Sequence, residues 1–407
     1  MKVYQINTVY NIGSTGCIVA QLKHTIEAQG DECVAAYGRG FSEEKNTFKI
    51  GTKSDLYFHA LMTRITDKTG FYSKRSTRKL INNIIQFNPD IIHLHNLHGY
   101  YLNIEVLFEF LKEYDRPIVW TLHDCWSFTG HCAYYSAKGC DKWKSLCQGC
   151  PQCRSYPSSY LADNSKNNFL KKREWFTTIA KMIIVTPSFW LKEEVEQSFL
   201  GKYGIQCIYN GIDTSVFKPT RGNLRKQYNL ENKKIILGVA SIWSERKGIY
   251  DFAKLAEILP DEYQIVMVGV DRKQAKTMSP NIICIEKFVS QKVLASLYTE
   301  ADVYFNASVE ETMGLTTIEA MACGTPVVVY NKTAIPEVVD EKVGRVVEQG
   351  NIEDVKLAIE DILLKENCVE ICVQYAKKYC MEKQYGEYMD LYKKVCSIEQ
   401  STKTKMK

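Results

Sequence analysis

The chain has 407 residues, 45% hydrophobic and 24% charged, with 52 basic against 47 acidic side chains and a net charge of +5. That length exceeds one compact core and fits two domains, and the composition excludes a disordered chain. So small a basic excess excludes nucleic acid as a partner argued from charge, and no run approaches the ~20 apolar residues of a membrane helix.

In chain order, Val3–Val9 reads as a strand. Ser14–Gln29 follows as a helix with Ile18, Leu22 and Ile26 at helical spacing, then Cys33–Tyr37 as a second strand. Ile91–His95 and Ile118–Leu122 are further strands around a helix at Asn103–Lys112, and Ile183–Thr186 closes this half. The pattern restarts after about residue 204 with strands at Ile235–Val239, Gln264–Val268, Ile282–Ile285, Val303–Phe305 and Val327–Tyr330. Helices at Gly248–Leu259, Gln291–Thr299 and Thr317–Ala322 separate them. Asn210-Gly211 and Lys218-Pro219 are turn-rich and mark a linker near 200–220. Residues 351–396 read as helical, with Tyr385, Met389, Tyr392 and Val395 on one face, and Ser401–Lys407 as a disordered tail. The alternation predicts an α/β protein of two Rossmann-like, doubly wound parallel-sheet domains, 1–200 and 201–375. Residues 376–407 form a C-terminal helix free to cross back to the first domain. Ligands bind beyond the carboxyl ends of such strands, so the expected site is a central cleft that the two domains face.

The most informative segment is Ser308–Pro326, in which a strand leads through a glycine loop into a short helix. Gly314 lets backbone approach a ligand, and the helix start at Leu315 and Thr316 presents amides and a positive dipole end, which suits a diphosphate. Glu311 and Glu319 flank the loop. Carboxylates repel phosphate but accept hydrogen bonds from sugar hydroxyls. A plainer reading stands beside this one. Thr316-x-x-Glu319 is also a capping box, with Gly324 an ordinary residue after the helix end.

The segment resembles the Glu-x7-Glu signature of retaining glycosyltransferases of the GT-B fold, family 4, in particular those of bacterial colanic-acid and exopolysaccharide synthesis. The resemblance extends over essentially the whole chain. It takes in Asn210-Gly211-Ile212-Asp213, Phe217-Lys218-Pro219, Leu297-Tyr298, Ala301-Asp302-Val303 and Pro336-Glu337-Val338-Val339. It implies that Glu319 binds the donor ribose, Glu311 the donor sugar, and the backbone of Gly314, Leu315 and Thr316 the diphosphate. In Ser241-Ile242-Trp243-Ser244-Glu245-Arg246-Lys247-Gly248, Lys247 matches the family lysine that neutralises the leaving diphosphate. The commoner form has an arginine where Ser241 or Ile242 stands, and Arg246 is the candidate to replace it. In the loop Asn11-Ile12-Gly13-Ser14-Thr15-Gly16, the family closes backbone over the diphosphate, Gly13 making the turn and Gly16 the close approach. His123, ending a strand in Thr121-Leu122-His123-Asp124, resembles the family histidine that faces the reacting sugar. The base of the nucleotide is expected to meet loops near Val270–Lys273 and Glu286–Val289.

The chain contains no Asp-x-Asp, so cations and helix amides rather than Mg²⁺ are expected to neutralise the phosphates, and no cofactor is required for catalysis. The 15 cysteines are unusual for a chain that opens Met1–Ile6 as a strand, with no apolar leader behind it, and is therefore expected in the cytoplasm. Six of them, Cys125, Cys132, Cys140, Cys147, Cys150 and Cys153, fall in an insert at 125–153 with His131. Cys147-x2-Cys150-x2-Cys153 has metal-ligand spacing, which Cys132 or Cys140 completes as a structural zinc site. The alternatives are packed, reduced thiols or disulfides. Arg64, Lys68, Lys74, Arg75, Arg78 and Lys79 surround a single acid, Asp67. They read either as a solvated helix face or as a patch for the inner face of an anionic membrane.

The sequence thus points to a retaining, metal-independent hexosyltransferase. It would move sugar from a UDP- or GDP-sugar to a lipid-linked saccharide acceptor, without nucleic acid. The competing readings are a nucleotide-sugar epimerase, a glycan phosphorylase, and a non-catalytic sugar- or metal-binding protein.

Overall fold

The computed structural model describes residues 1–286, 290–365 and 368–405. The chain divides into two units, Met1–Ile208 with Tyr385–Lys407, and Tyr209–Gln384.

Unit 1 runs β1 (Lys2–Val9), α1 (Gly13–Ala28), β2 (Glu32–Arg39), β3 (Thr47–Lys49), α2 (Lys53–Thr66), α3 (Lys74–Phe87) and β4 (Ile91–Leu94). It continues through α4 (Ile104–Glu113), β5 (Ile118–Thr121), α5 (Ser165–Phe176), β6 (Met182–Thr186), α6 (Phe189–Glu196) and β7 (Gly204–Cys207). The sheet is parallel, in the order β3-β2-β1-β4-β5-β6-β7. Its central strands are buried on both faces, which explains their unbroken apolar runs, such as Ile91-Ile92 and Ile118-Val119-Trp120. Strand order reverses between β1 and β4, and a crevice opens at such a point beyond the strand ends.

Unit 2 runs α7 (Leu224–Tyr228), β8 (Lys234–Val239), α8 (Ile249–Ile258), β9 (Tyr263–Val270), α9 (Arg272–Ala275), β10 (Ile282–Glu286) and α10 (Gln291–Glu300). Then come β11 (Val303–Asn306), α11 (Leu315–Ala322), β12 (Val327–Tyr330), β13 (Gly344–Val347), α12 (Ile352–Leu363), α13 (Cys368–Ala376) and α14 (Met381–Lys405), which from Tyr385 onward belongs to unit 1. Its parallel sheet has the order β10-β9-β8-β11-β12-β13 and reverses between β8 and β11.

Both sheets follow the doubly wound α/β plan expected from the alternation, with three strands more than the apolar runs announce: β3, β7 and β13. The far part of α14 packs on unit 1. Tyr385 Oη donates to Gln21 Oε1 at 2.7 Å, and the Tyr388 and Tyr392 hydroxyls meet Thr121 and His93. The tail from Ser401, expected to be disordered, continues α14 through Lys405, since Ser401–Lys405 holds no Pro or Gly to stop a helix. Met406 and Lys407 lie outside the described residues. The cysteine-rich insert contains no strand or α-helix, only three short 3₁₀ turns. Trp126, Phe128, Tyr135 and Trp143 anchor it in the main core of unit 1. Burial of side chains this size contributes roughly 2–3 kcal/mol each, which holds an irregular segment that its backbone hydrogen bonds alone would not.

Candidate active site

At the strand-order reversal of unit 2, the segments after β8 and β11 meet. The first carries a 3₁₀ turn, Glu245–Lys247, ended by Gly248 at φ +71°. A Cβ at Gly248 would lie 2.3 Å from the Ala307 carbonyl oxygen, so only glycine lets this turn sit against the end of β11. The contact places both cations on the loop that follows β11. Arg246 Nη1 donates to the Glu310 carbonyl at 2.7 Å, and its own carbonyl accepts from Val309 N at 2.9 Å. Lys247 Nζ forms an ion pair with Glu311, with side-chain exposures of 21% and 15%. Burial by itself pushes the Glu311 carboxyl up. Lys247 and Arg246 more than offset this and hold it below the usual carboxylate range.

The loop ends at Gly314, φ +84°, which begins α11 with no side-chain cap. The capping box expected from Thr316-x-x-Glu319 does not form. Thr316 lies inside the first turn rather than at the cap, and its hydroxyl accepts from Tyr304 Oη at 2.8 Å. The side chains of Leu315 and Thr316 are half-buried. Glu319 is thereby released from a capping role. Its Oε2 accepts from Tyr298 Oη at 3.1 Å, and burial pushes its carboxyl up to about 7. Gly324, at φ +91°, does follow the helix end, as expected. The uncapped N-terminus, the lysine–glutamate pair and the half-buried Glu319 thus share one glycine loop and one helix, a set able to take an anion and hydroxyl groups together. Of the loops expected near the base, Arg272 Nε pairs with Glu286 Oε1 at 2.9 Å. Lys287, Phe288 and Val289 lie outside the described residues.

In unit 1, Gly13 turns the chain between β1 and α1 at φ +64°. Gly16 approaches its own incoming loop: a Cβ there would lie 3.2 Å from Asn11 N. His123 follows β5 and belongs to a group that the sequence reading missed. His93, His95 and His98 sit at and beyond the end of neighbouring β4. Gln5 Nε2 donates to the Val19 carbonyl and the Cys33 sulfur, so its Oε1 accepts from His95 Nε2 at 3.2 Å. His95 Nδ1 is then the lone-pair nitrogen and accepts from His123 Nε2 at 3.1 Å. Burial holds His95 well below its ordinary value and His123 down to about 4, so both rings are neutral at pH 7. The chain of bonds assigns the proton of His123 to Nε2 and the lone pair to Nδ1. Beside it, His98 Nε2 meets Asp124 Oδ2 at 2.7 Å, and His98 Nδ1 meets the Tyr156 hydroxyl at 2.9 Å. The available signal was His93-x-His95-x-x-His98. Polar side chains alternating through an apolar strand and just past its end point away from ordinary packing.

The insert departs from the expected zinc ligands. None of the 15 cysteines is disulfide-bonded. Cys147, Cys150 and Cys153 do not converge with Cys132 or Cys140 into a ready tetrathiolate. Among the described residues, the one group of three or more such side chains whose donor atoms all lie within 4.8 Å of one another is Asp67, His131 and Cys153. In that group Asp67 and His131 form a buried pair at 2.5 Å. The basic stretch is not one helix face either. It is split between the end of α2, the link holding buried Asp67, and the start of α3.

A family model described as Glycosyltransferase Family 4 matches residues 18–216, and one described as Glycosyl transferases group 1 matches residues 220–379. With the two reversed parallel sheets, these matches define a glycosyltransferase of the GT-B fold, and the chain belongs to family 4. Along 96% of its length it is 24% identical to 99% of a glycosyl transferase of Escherichia coli (strain K12) named for colanic acid biosynthesis, WcaC. Sucrose-phosphate synthase from Thermosynechococcus elongatus shares the fold at TM-score 0.72, with 15% identity, 98% of this chain and 99% of that one covered. Anabaena HepE in complex with UDP-glucose does so at TM-score 0.66, with 14% identity and coverages of 97% and 100%.

Proposed function

We propose that the chain transfers a sugar, with retention of anomeric configuration, from a UDP- or GDP-sugar to a lipid-linked saccharide during assembly of a surface polysaccharide. The name of the Escherichia coli relative supports the pathway, and the UDP-glucose complex of HepE supports the donor class. The observation that carries the reading is the ion pair of Lys247 with Glu311 on the glycine loop before α11, with Glu319 in the second turn of that helix.

The roles follow from charge. The diphosphate takes Lys247 from Glu311 and lies on the first amides of α11, with Arg246 fixing the loop. Glu311, released, accepts from hydroxyls of the donor sugar, and Glu319 accepts from the ribose. As the bond from sugar carbon to phosphate oxygen breaks, its electron pair passes to the diphosphate. Lys247 and the helix amides stabilise that charge, so transition-state charge is met by groups already in place. The acceptor oxygen bonds to the same carbon, and its proton leaves to the departing phosphate. No enzyme carboxylate is assigned as nucleophile. His123 accepts a sugar hydroxyl at Nδ1 and orients the ring. Positive side chains carry the neutralisation, so the reaction proceeds without Mg²⁺.

The lipid-linked acceptor is supported by α2. Tyr57, Phe58, Leu61 and Ile65 are exposed on it, with exposed Lys53, Arg64 and Lys68 around them. Tyr160 N donates to the Arg64 carbonyl at 2.8 Å, which brings exposed Tyr160 and Leu161 beside them. Apolar side chains within a basic rim suit the interface of an anionic bilayer, on which the enzyme docks from the cytoplasmic side. No helix among the described residues is long and apolar enough to cross one.

The test is nucleotide release from a panel of UDP- and GDP-sugars with and without a lipid-linked saccharide, for wild type, Lys247→Ala and Glu319→Ala. The reading expects acceptor-dependent release that both variants lose. Donor conversion without acceptor would support the epimerase instead, and retained turnover in either variant would overturn the site.

A further inference from the structure

The insert at 125–153 holds a second small site, separate from the donor loop. A cavity of about 10 Å³ is lined by Cys132, Cys140, Cys147 and Cys150, together with His131 and Trp143. That is the room a single water takes, and a dehydrated divalent ion takes less. The four cysteines that line it are a soft, sulfur-rich donor set of the number that a closed tetrahedral ion needs, although no three of their sulfurs lie within 4.8 Å of one another. Their spacing, Cys-x7-Cys-x6-Cys-x2-Cys, ends in the short loop that places two sulfurs on one ion.

Two further features fit an occupied thiolate site. Gly130 N donates to Cys147 Sγ at 3.2 Å, the backbone-to-sulfur bond that stabilises metal-bound thiolates. Lys172 is 1% exposed and lies within electrostatic reach of Cys147 and Cys132. Its Nζ donates to the Trp126 carbonyl at 2.7 Å and the Thr129 carbonyl at 3.1 Å. Burial pushes the Lys172 ammonium down to about 7, and thiolates at nearby Cys147 and Cys132 would give its charge a partner, since zinc with four thiolates carries −2. In the rival group of Asp67, His131 and Cys153, the first two already have partners. Both ring nitrogens of His131 face oxygen acceptors, Asp67 Oδ1 and the Ser155 carbonyl, and Asp67 Oδ2 accepts from Asn164 N at 2.9 Å.

We propose that Cys132, Cys140, Cys147 and Cys150 bind a structural zinc ion, and that Cys153 is not a ligand. Binding draws the sulfurs inward by side-chain rotation around the cavity they line. The ion ties together an insert that has only 3₁₀ turns and that starts two residues after His123.

The test uses the full chain, purified without chelator from zinc-supplemented cells and desalted, with metal measured by atomic emission. Stoichiometric zinc is expected in wild type and in Cys153→Ser, and its loss in Cys140→Ser and Cys147→Ser. To separate ligand loss from misfolding of those variants, cobalt(II) is also titrated into chelator-treated wild type. The thiolate-to-cobalt absorption of a tetrahedral site is expected, and zinc should abolish it. Metal-free wild type with no cobalt signal would overturn the proposal. So would loss of zinc in Cys153→Ser with retention in Cys140→Ser. Neither readout involves turnover, so failure here leaves the transferase reading untouched.

Discussion

Beyond the ends of β8 and β11, unit 2 gathers formal charge: Lys247 against Glu311, Arg246 on the loop backbone, and Glu319 pushed up to about 7. Beyond the ends of β4 and β5, unit 1 gathers His93, His95 and His123, which burial holds neutral and which Gln5, Thr121 and Tyr392 bond from behind. The same sheet architecture therefore carries two kinds of preorganisation. In unit 2 the proposed site is an ion pair, Lys247 with Glu311, held on a glycine loop. In unit 1 the hydrogen bonds from Gln5 through His95 to His123 fix the direction of both rings.

The contrast breaks first at the exchangeable pair. Lys247→Ala should lower kcat/KM by about 10²–10³, the loss typical of removing one preorganised group that stabilises developing negative charge. Steady-state kinetics with saturating acceptor checks this, and a loss below tenfold would remove the lysine from the reaction.

Next comes Glu319→Gln. The folded carboxyl sits near 7, above its ordinary 4.5. Below pH 4.5 both states are protonated and nothing is lost. Between 4.5 and 7 the unfolded chain ionises first, so stability falls as pH rises, and above 7 the cost is constant. The variant should gain on the order of 1–2 kcal/mol at pH 8, nothing at pH 4.5, and lose donor binding at both. Denaturant melts at the two pH values read the first effect. Equal stability at pH 8 would show that Glu319 is not strained in the free enzyme.

A smaller effect is expected in unit 1. Gln5→Leu removes the acceptor that sets the His95 tautomer, and kcat should fall about tenfold, as for other lost orienting partners. Donor KM should hold, and Gln5→Glu, which keeps an acceptor oxygen, should restore the rate. A fall in KM and kcat together, without rescue, would point to general loss of packing. The smallest effect is none at all: a chelator too weak to strip tightly held zinc should leave transfer unchanged, and a strict Mg²⁺ requirement would contradict neutralisation by Lys247 and α11.

The central strands were legible because burial on both faces writes them as continuous apolar runs. β3, β7 and β13 were not. Each is a short edge strand with polar or glycine residues, such as Gly204-Ile205-Gln206-Cys207, and a half-solvated edge needs no apolar run. Glu311 and Glu319 stood out as carboxylates flanking Gly314 and Lys247 through the family resemblance, whereas the apparent cap at Thr316 misled, because local pattern does not reveal that Gly314 already begins the helix. His123 was found and its partners were not, since His93 and His95 look like interruptions of a strand until the sheet sets them beside β5. In the insert, the Cys-x2-Cys-x2-Cys spacing could not show that Cys153 has Asp67 and His131 beside it, a pair 64 residues apart in sequence.

The central claim is that the loop before α11 exchanges an internal ion pair for a diphosphate. A crystal of the full chain grown with UDP or GDP tests it most directly. The account predicts diphosphate oxygens within hydrogen-bond distance of Lys247 Nζ and of the first amides of α11, with Glu311 parted from the lysine. A nucleotide bound elsewhere, with Lys247 still paired to Glu311, would contradict it.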